Sequence, residues 1–117
     1  MDFVAEKRVI VILEGFKMRL LNFNSEEICN FSDPKIRIND VRLSPAGNYI
    51  YASDSDGYLY IFNQNDCKLI SRHKIYKGDI KRMRTDSSGK YIVTISNMFE
   101  PLYLFDVSKL LSMKSDP

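Results

Sequence analysis

The feature that most constrains the fold is a set of four short apolar segments, separated by three turn sequences, between residues 36 and 70. The turns read Ser-Pro-Ala-Gly, Asp-Ser-Asp-Gly and Asn-Gln-Asn-Asp, and the segments between them are rich in Tyr, Ile and Val. β-Branched and aromatic residues favour strands, whereas Gly, Pro, Asn and Asp favour tight turns. The stretch is therefore predicted to form four short strands joined by turns.

The same pattern recurs along the chain with a period of 41 to 43 residues. Gly47 and Gly89 are 42 residues apart, Phe62 and Phe105 are 43 apart, and Leu21 lies 41 residues before Phe62. The last segments align at Ile28, Leu69 and Leu110. Because a fixed period of this length indicates a repeat architecture, the chain divides into units 1–31 (incomplete), 36–75 and 79–113, with a polar tail at 114–117.

The repeated unit resembles the WD-repeat β-propeller family. The likeness rests on the Ser44-Pro45-Ala46-Gly47 turn, on Asp56-Gly57, and on Phe62-Asn63 in the place of the family's Trp-Asp pair. It implies an all-β fold of antiparallel, four-stranded propeller blades, with about 2.75 blades in this chain where propellers use four to eight. The structural signature of the repeat is Gly47, Asp56, Gly57, Phe62, Gly89, Phe105 and Asp106.

The repeats depart from the family at its hydrogen-bonded positions. Gly78-Asp79 stands where a Gly-His pair is expected, and the chain contains no Trp. Asp56 has no counterpart in the other units, so these repeats are predicted to hold together mainly by apolar packing. A small sandwich or barrel and a lactonase-like propeller stay open as alternatives. The first unit also resembles the opening blade of the phosphoinositide-binding propellers of autophagy, without their paired arginines.

Several strands carry specific expectations. Val9–Leu13 is apolar on both strand faces and needs cover on both sides. The first unit either lacks its first strand or has residues 1–4 in part of that place. Residues 107–111 form an outer strand or a short helical turn. Gly47 and Gly89 are predicted to have positive φ, and Phe62 and Phe105 to be buried equivalents on third strands.

Composition excludes several classes of protein. The chain has 117 residues and a net charge of +2, and its apolar runs fall short of the 18 residues of a membrane span. Its two cysteines, Cys29 and Cys67, are interpreted as free thiols in a reducing compartment, which predicts a cytoplasmic or nuclear protein.

The sequence does not predict an enzyme. The one histidine, His73, is interpreted as a solvated residue, and no nucleophile motif, zinc-binding spacing or Gly-rich phosphate loop accompanies it. The acidic stretch from Asp54 to Gly57 is predicted to be a β-turn rather than a calcium loop. We therefore expect no catalytic residues, no metal site and no cofactor.

The strongest charge asymmetry lies between residues 72 and 84, where seven of thirteen residues are basic or His. Such a run can contact phosphate, RNA, acidic lipid or an acidic protein, although a solvated rim is the ordinary interpretation. The candidate contact residues are Arg72, Lys74, Lys77, Lys81, Arg82 and Arg84.

Three functions follow from these observations. The first is a non-catalytic protein–protein interaction scaffold, completed by further blades from a longer chain, by self-association or by a partner. The second is an anion-binding module that uses the 72–84 run for RNA or phosphoinositide. The third is part of a propeller enzyme of lactonase-like type. An open stack of blades leaves apolar end faces, so the chain is expected to associate with itself or with a protein partner.

Overall fold

The computed structural model describes residues 2–4 (backbone only), 9–44, 48–76, 78, 80–96, 102–113 and 115. The fold is all-β, with three antiparallel sheets formed by neighbouring segments of chain. The first sheet contains β1 (Asp2–Val4), β2 (Val9–Glu14), β3 (Lys17–Asn22) and β4 (Glu27–Phe31). The second contains β5 (Ile38–Leu43), β6 (Tyr49–Asp54), β7 (Tyr58–Asn63) and β8 (Leu69–Lys74). The third contains β9 (Arg82–Thr85), β10 (Tyr91–Ile95) and β11 (Tyr103–Asp106), and a helix, α1 (Val107–Ser112), follows it.

Every sheet is a meander in which each strand pairs with the next one in sequence. Within the described ranges no sheet closes on itself, so the barrel alternative receives no support. In the first unit, β1 pairs with β2 from Asp2 to Val4, and this agrees with the second of the two expectations for residues 1–4. In the third unit, residues 107–111 form a helix, so β11 is an edge strand of its sheet.

The register between second and third strands repeats from sheet to sheet. Ile10 lies opposite Leu21, Ile50 opposite Phe62, and Ile92 opposite Phe105. The sequence alignment of third strands at residues 21, 62 and 105 is therefore confirmed. First strands agree too, because Val41 and Met83 lie opposite Ala52 and Thr94, which occupy equivalent places on β6 and β10.

The alignment of the last segments is wrong by one residue. A bulge interrupts the pairing after Leu20 in the first sheet and after Ile61 in the second. Beyond the bulge, Leu21 lies opposite Glu27 and Phe62 lies opposite Leu69. Ile28 is thus equivalent to Ile70 rather than to Leu69, and Leu110 belongs to α1 instead of a strand.

The second sheet lies between the other two and is buried on both faces. One cluster joins it to the first sheet, and a second cluster joins it to the third sheet and α1. Residues 59–62 of β7 are all buried, whereas only Val11 of β2 is fully buried. The cover expected on both faces of Val9–Leu13 is therefore present on one face only. Along one edge of the stack, the first strand β5 lies between the first strands β1 and β9 of the other two sheets and contacts both.

The interpretation of the cysteines as free thiols is wrong. The structure joins Cys29 of β4 to Cys67, in the turn between β7 and β8, by a disulfide with a Cα–Cα distance of 5.7 Å. The physical reason is the stacking of the first two sheets, which brings an outer strand of one beside a turn of the next. Disulfides persist mainly in oxidising compartments, so the cytoplasmic or nuclear expectation loses one of its grounds.

Candidate functional surfaces

A side-chain oxygen caps the end of each third strand, at Asn22, Asn63 and Asp106. Oδ1 of Asn22 accepts a hydrogen bond from the backbone N–H of Asn24, at 2.9 Å. Oδ1 of Asn63 does the same for Asn65 at 2.8 Å, and Oδ1 of Asp106 for Ser108 at 2.9 Å. The three positions therefore share a local function, which is to end a strand by satisfying an N–H two residues later.

Asp106 also starts the helix. Its carboxylate accepts a second hydrogen bond from the N–H of Lys109 at 3.3 Å, which makes it the N-cap of α1. Aspartate is one of the preferred N-cap residues, whereas Asn22 and Asn63 lead into turns and fourth strands. Asp106 therefore stabilises the start of the helix in the third unit, where the other units have an outer strand.

The turn between β6 and β7 is organised by Asp54 rather than by Asp56. The Asp54 side chain is 2% exposed and accepts hydrogen bonds from the N–H groups of Asp56 and Tyr58, at 3.0 and 2.9 Å. It also accepts one from the Tyr60 hydroxyl at 2.6 Å. Burial, and then this hydrogen bond to Asp54, raises the pKa of the Tyr60 phenol above its usual range. Asp56 is exposed, and the acidic stretch forms the expected turn.

Gly89 has the predicted positive φ, and Gly57, for which the sequence made no such prediction, has one as well. Gly57 has φ +90° and Gly89 has φ +76°. A Cβ on Gly57 would lie 2.1 Å from the carbonyl oxygen of Tyr76, so this position excludes a side chain as well. Gly47 lies outside the described residues. Phe62 is fully buried as predicted, whereas Phe105 is half-buried.

The structure divides the basic run between two edges of the stack. Arg72 and Lys74 lie on β8, where both cations face the Tyr58 ring at 4.9 and 5.3 Å from its centroid. Arg82 and Arg84 are exposed on β9, which contacts β5. Because β5 and β8 lie at opposite edges of their sheet, about 14 Å apart, the two groups do not form one continuous patch. Lys81 is exposed just before β9, and Lys77 lies outside the described residues.

A further arginine that the sequence did not single out belongs to the β9 group. Arg42 of β5 donates from Nε to the Met83 carbonyl at 3.1 Å, and Arg84 donates to the same oxygen from Nη1 at 2.9 Å. Asp40 lies 3.4 Å from the Arg42 guanidinium and accepts from the Met83 N–H at 3.3 Å. The contacts of Arg42 and Asp40 with Met83 hold β5 against β9, where the second and third sheets meet, whereas the Arg84 bond stays within β9.

The interpretation of His73 as a solvated residue is wrong. The side chain is 4% exposed, and its Nε2 lies 3.1 Å from Oγ of Ser71, which is also buried on β8. His73 is buried because the third sheet and α1 cover this side of β8. Together they form a surface cavity of about 190 Å³, whose other walls include Tyr103, Phe105 and Leu110.

The His73 pair does not amount to a catalytic arrangement. Nucleophilic catalysis by a Ser–His pair requires a third group that orients the imidazole, in practice a carboxylate or an amide. In the described part of the chain no such group hydrogen-bonds His73. The cavity beside it is predominantly apolar, and its chemistry suits packing rather than proton transfer.

The most unusual surface is the outer side of the third sheet, which we call the open face. Its members are apolar side chains that point away from the second sheet: Tyr91, Val93, Ile95, Leu102 and Leu104. Leu102 and Leu104 are each 60% exposed, and only Val93 is half-buried. A contiguous apolar patch of this kind on a protein surface marks an interaction site or an aggregation hazard.

Comparison with known proteins adds no assignment. No protein-family model matches the chain, and no curated protein shows significant similarity to it. Helices of the described segments all fall short of the length and hydropathy required to cross a bilayer.

Sequence reasoning missed three features of these surfaces: the central position of Asp54, the burial of His73 and the disulfide. Signals for the first two were present, because Asp54 precedes an alternating Tyr58/Tyr60 pattern and His73 alternates with Ser71 on a strand. The disulfide depends on the way the sheets stack, and the spacing of 38 residues between the cysteines did not reveal it.

Proposed function

We propose that this chain is a non-catalytic interaction scaffold built of WD-repeat-like propeller blades, completed by further blades outside the stack of three sheets. The observation that supports it best is the recurrence of one register in three meander sheets whose first strands adjoin along one edge. Neighbouring first strands around an axis are the arrangement that a propeller requires. Function is inferred here from the family resemblance and from the open face, since a fold by itself does not determine a function.

Electron microscopy of the assembled protein tests the architecture. We expect a ring of sheets around a central axis, and a sandwich of stacked sheets without an axis would contradict the proposal. Cross-linking mass spectrometry of the tagged protein in its own cells tests the scaffold. Cross-links to other proteins are expected at the exposed Lys17, Lys35 and Lys68, which lie in or beside turns. A chain that cross-links only to itself, or that turns over a substrate, would contradict the scaffold.

A second candidate function is anion binding by the arginines of β9, for RNA or the phosphates of an acidic lipid. The specific observation that favours it is the exposure of Arg82 and Arg84 on the same side of one strand. Replacing Lys81, Arg82 and Arg84 with Gln should leave folding almost unchanged. Affinity for heparin or RNA should fall, and the log–log salt slope should shrink by about 0.7–0.9 for each phosphate that the variant no longer neutralises. No binding by the unmodified protein at about 50 mM salt would remove this candidate.

A further inference from the structure

The three sheets use equivalent faces to contact one another. The first sheet presents Val11, Met18 and Leu20 to the second, which meets them with the face that carries Ile50 and Phe62. The opposite face of the second sheet carries Tyr51, Leu59 and Ile61, and it meets the face of the third sheet that carries Met83 and Ile92. Because Ile50 and Ile92 have the same register, both contacts join the same two sides of the repeat.

This equivalence shows which surfaces are missing a neighbour. The open face of the third sheet corresponds to the side of the first sheet that carries Met18 and Leu20, and to the side of the second sheet that carries Leu59 and Ile61. In the register of the third strands, Leu102 corresponds to Met18 and Leu59, and Leu104 corresponds to Leu20 and Ile61. All four counterparts are at most 1% exposed, whereas Leu102 and Leu104 are each 60% exposed. The open face therefore has the composition of an interface that is buried twice elsewhere in the same chain.

The complementary surface is on the outer side of the first sheet. Its half-buried Ile10, Ile12 and Leu21 occupy the positions of Ile50, Ala52 and Phe62, all of which are 0% exposed in the contact with the first sheet. We call Ile10, Ile12, Leu21 and the charged residues beside them the first-sheet face. The stack thus has one uncovered face at each end, the open face and the first-sheet face. Equivalent faces pack against each other at both contacts between sheets inside the stack.

Charge favours the same pairing. The first-sheet face carries Glu14 and Glu27, which share the Arg19 guanidinium, with Lys17 at its edge. The open face carries Arg82 and Arg84 on its inner strand. Two open faces placed together would bring four arginines into one contact, and among the described residues of the face the helix-capping Asp106 of each copy is the acidic group that opposes them. A contact between an open face and a first-sheet face instead brings two of these arginines against a face on which Glu14 and Glu27 balance Arg19 and Lys17, so it avoids this repulsion.

We propose that a second copy of this chain docks head to tail, so that the open face of each copy covers the first-sheet face of the other. The proposal rests on the blade-like repeat of the proposed function and adds the partner and the surfaces. The contact is heterologous, and a pair of copies can close it into a ring of six sheets, within the four to eight of known propellers.

Sedimentation equilibrium of the full chain tests this arrangement. We expect a dimer, twice the 13.6 kDa chain, at micromolar concentration. Leu104→Arg on the open face and Ile12→Arg on the first-sheet face should each raise the dissociation constant at least tenfold. Ile70→Arg is the matched control, because Ile70 is a similarly exposed apolar residue on the second sheet, which belongs to neither end.

Mixing the two variants separates head-to-tail docking from its alternatives. A mixture of Leu104→Arg and Ile12→Arg retains one intact pair of faces, so heterodimers should form where each variant alone is monomeric. A monomeric unmodified chain would overturn the proposal, and so would Ile12→Arg that dimerises normally, since this indicates contact between two open faces. Circular dichroism verifies that the variants fold, and Leu102→Arg with Ile10→Ser provides a second pair if they do not. A monomer that still cross-links to other proteins would overturn the dimer and leave the scaffold standing.

Discussion

At the scale of single residues, two glycines show how backbone conformation and space make different demands. Gly15 and Gly57 both have positive φ, but a Cβ on Gly15 meets nothing within 4 Å, whereas one on Gly57 meets the carbonyls of Tyr76 and Gly78. Gly57 therefore needs to lack a side chain for a steric reason as well as a conformational one. It is also the residue where the β6–β7 turn touches the segment that leads to the third sheet.

We expect Gly57→Ala to destabilise the protein by clearly more than Gly15→Ala. Gly15→Ala carries only the cost of positive φ, about 1 kcal/mol. Gly57→Ala adds the displacement of the Tyr76 and Gly78 carbonyls, for a total of roughly 3 kcal/mol or more. Urea unfolding monitored by circular dichroism measures both. Equal losses would mean that the segment at Tyr76 moves away freely.

Asp86 makes the stability of the protein depend on pH. Its carboxylate accepts hydrogen bonds from the Ser88 hydroxyl and from the N–H of Tyr91, and these hold the pKa of Asp86 below its usual 3.8, with the Ser88 hydroxyl as the largest cause. A carboxylate whose pKa is lower in the folded than in the unfolded protein stabilises the fold at pH values above its unfolded-state pKa. This stabilisation is lost as the pH falls through its folded-state pKa.

Asp86→Asn should therefore lower the melting temperature at pH 7 and flatten its decline between about pH 5 and pH 2. Thermal melts across that range provide the measurement. Asp56→Asn, in the β6–β7 turn, removes an exposed carboxylate elsewhere and is the control for the change in net charge. A parallel shift of the whole Asp86→Asn curve would show that ionisation of this carboxylate contributes nothing.

At the scale of elements, the strands were predictable wherever turn chemistry and register agreed. The third strands could be aligned at Leu21, Phe62 and Phe105 because each is the last apolar residue of a short segment that ends at Asn or Asp. The fourth strands could not be aligned by a fixed spacing, since four residues separate β3 from β4 whereas five separate β7 from β8. The choice between a helix and a strand at residues 107–111 was left open because Asp106 and Asn63 accept the same kind of hydrogen bond from the N–H two residues later, although only Asp106 begins a helix.

The surfaces were less predictable than the strands. A run of basic residues looks continuous in sequence, but a sheet edge intervenes between Lys74 and Arg82, so the run divides in space. His73 shows the reverse case, in which a polar residue is covered by elements more than 25 residues further along the chain. Both errors have one cause: local sequence periodicity predicts strands but not which sheets contact one another.

The equivalent phenylalanines should differ in their contribution to stability. Phe62 is fully buried between two sheets and contacts Phe31 with ring centroids 4.7 Å apart, so Phe62→Ala should cost roughly 3–5 kcal/mol. Phe105 is half-buried beside the cavity near α1, so Phe105→Ala should cost roughly 1–2 kcal/mol. Chemical denaturation of both variants measures the difference. Equal costs would show that Phe105 is buried in solution by something beyond the described contacts.

The disulfide links the first two sheets, and its removal tests how far they depend on it. Closing a loop with a sequence separation of 38 stabilises by roughly 4 kcal/mol in the chain-entropy estimate. Cys67→Ser should therefore lower the free energy of unfolding by an amount of that order, and a reducing agent should do the same to the unmodified chain. Thiol titration of the unreduced, denatured protein should find no reactive cysteine, and two free thiols would show that the bond does not form.

At the scale of the whole molecule, the three sheets are unequally buried, and this determines where the protein is least stable and where it can associate. The second sheet has neighbours on both sides and supplies most of the fully buried aromatic residues, including Tyr51, Tyr60 and Phe62. The outer sheets each have one covered side, and repeat arrays gain stability from every interface between neighbours. Two interfaces within the stack leave the end sheets as the least stable parts, and docking of a second copy would add two more.

Stability of the chain should therefore depend on its concentration. If folded copies associate through the open face and the first-sheet face, mass action raises the melting temperature as the concentration increases. A hundredfold increase should raise it by roughly 5 °C. Leu104→Arg should abolish this dependence, because an arginine on the open face would be buried against apolar side chains in the dimer. Differential scanning calorimetry at about 1 and 100 µM gives the comparison, with Ile70→Arg as the control that keeps the shift. A melting temperature that stays constant for the unmodified chain would mean that the open face remains in contact with water, so that the stack would be a monomer.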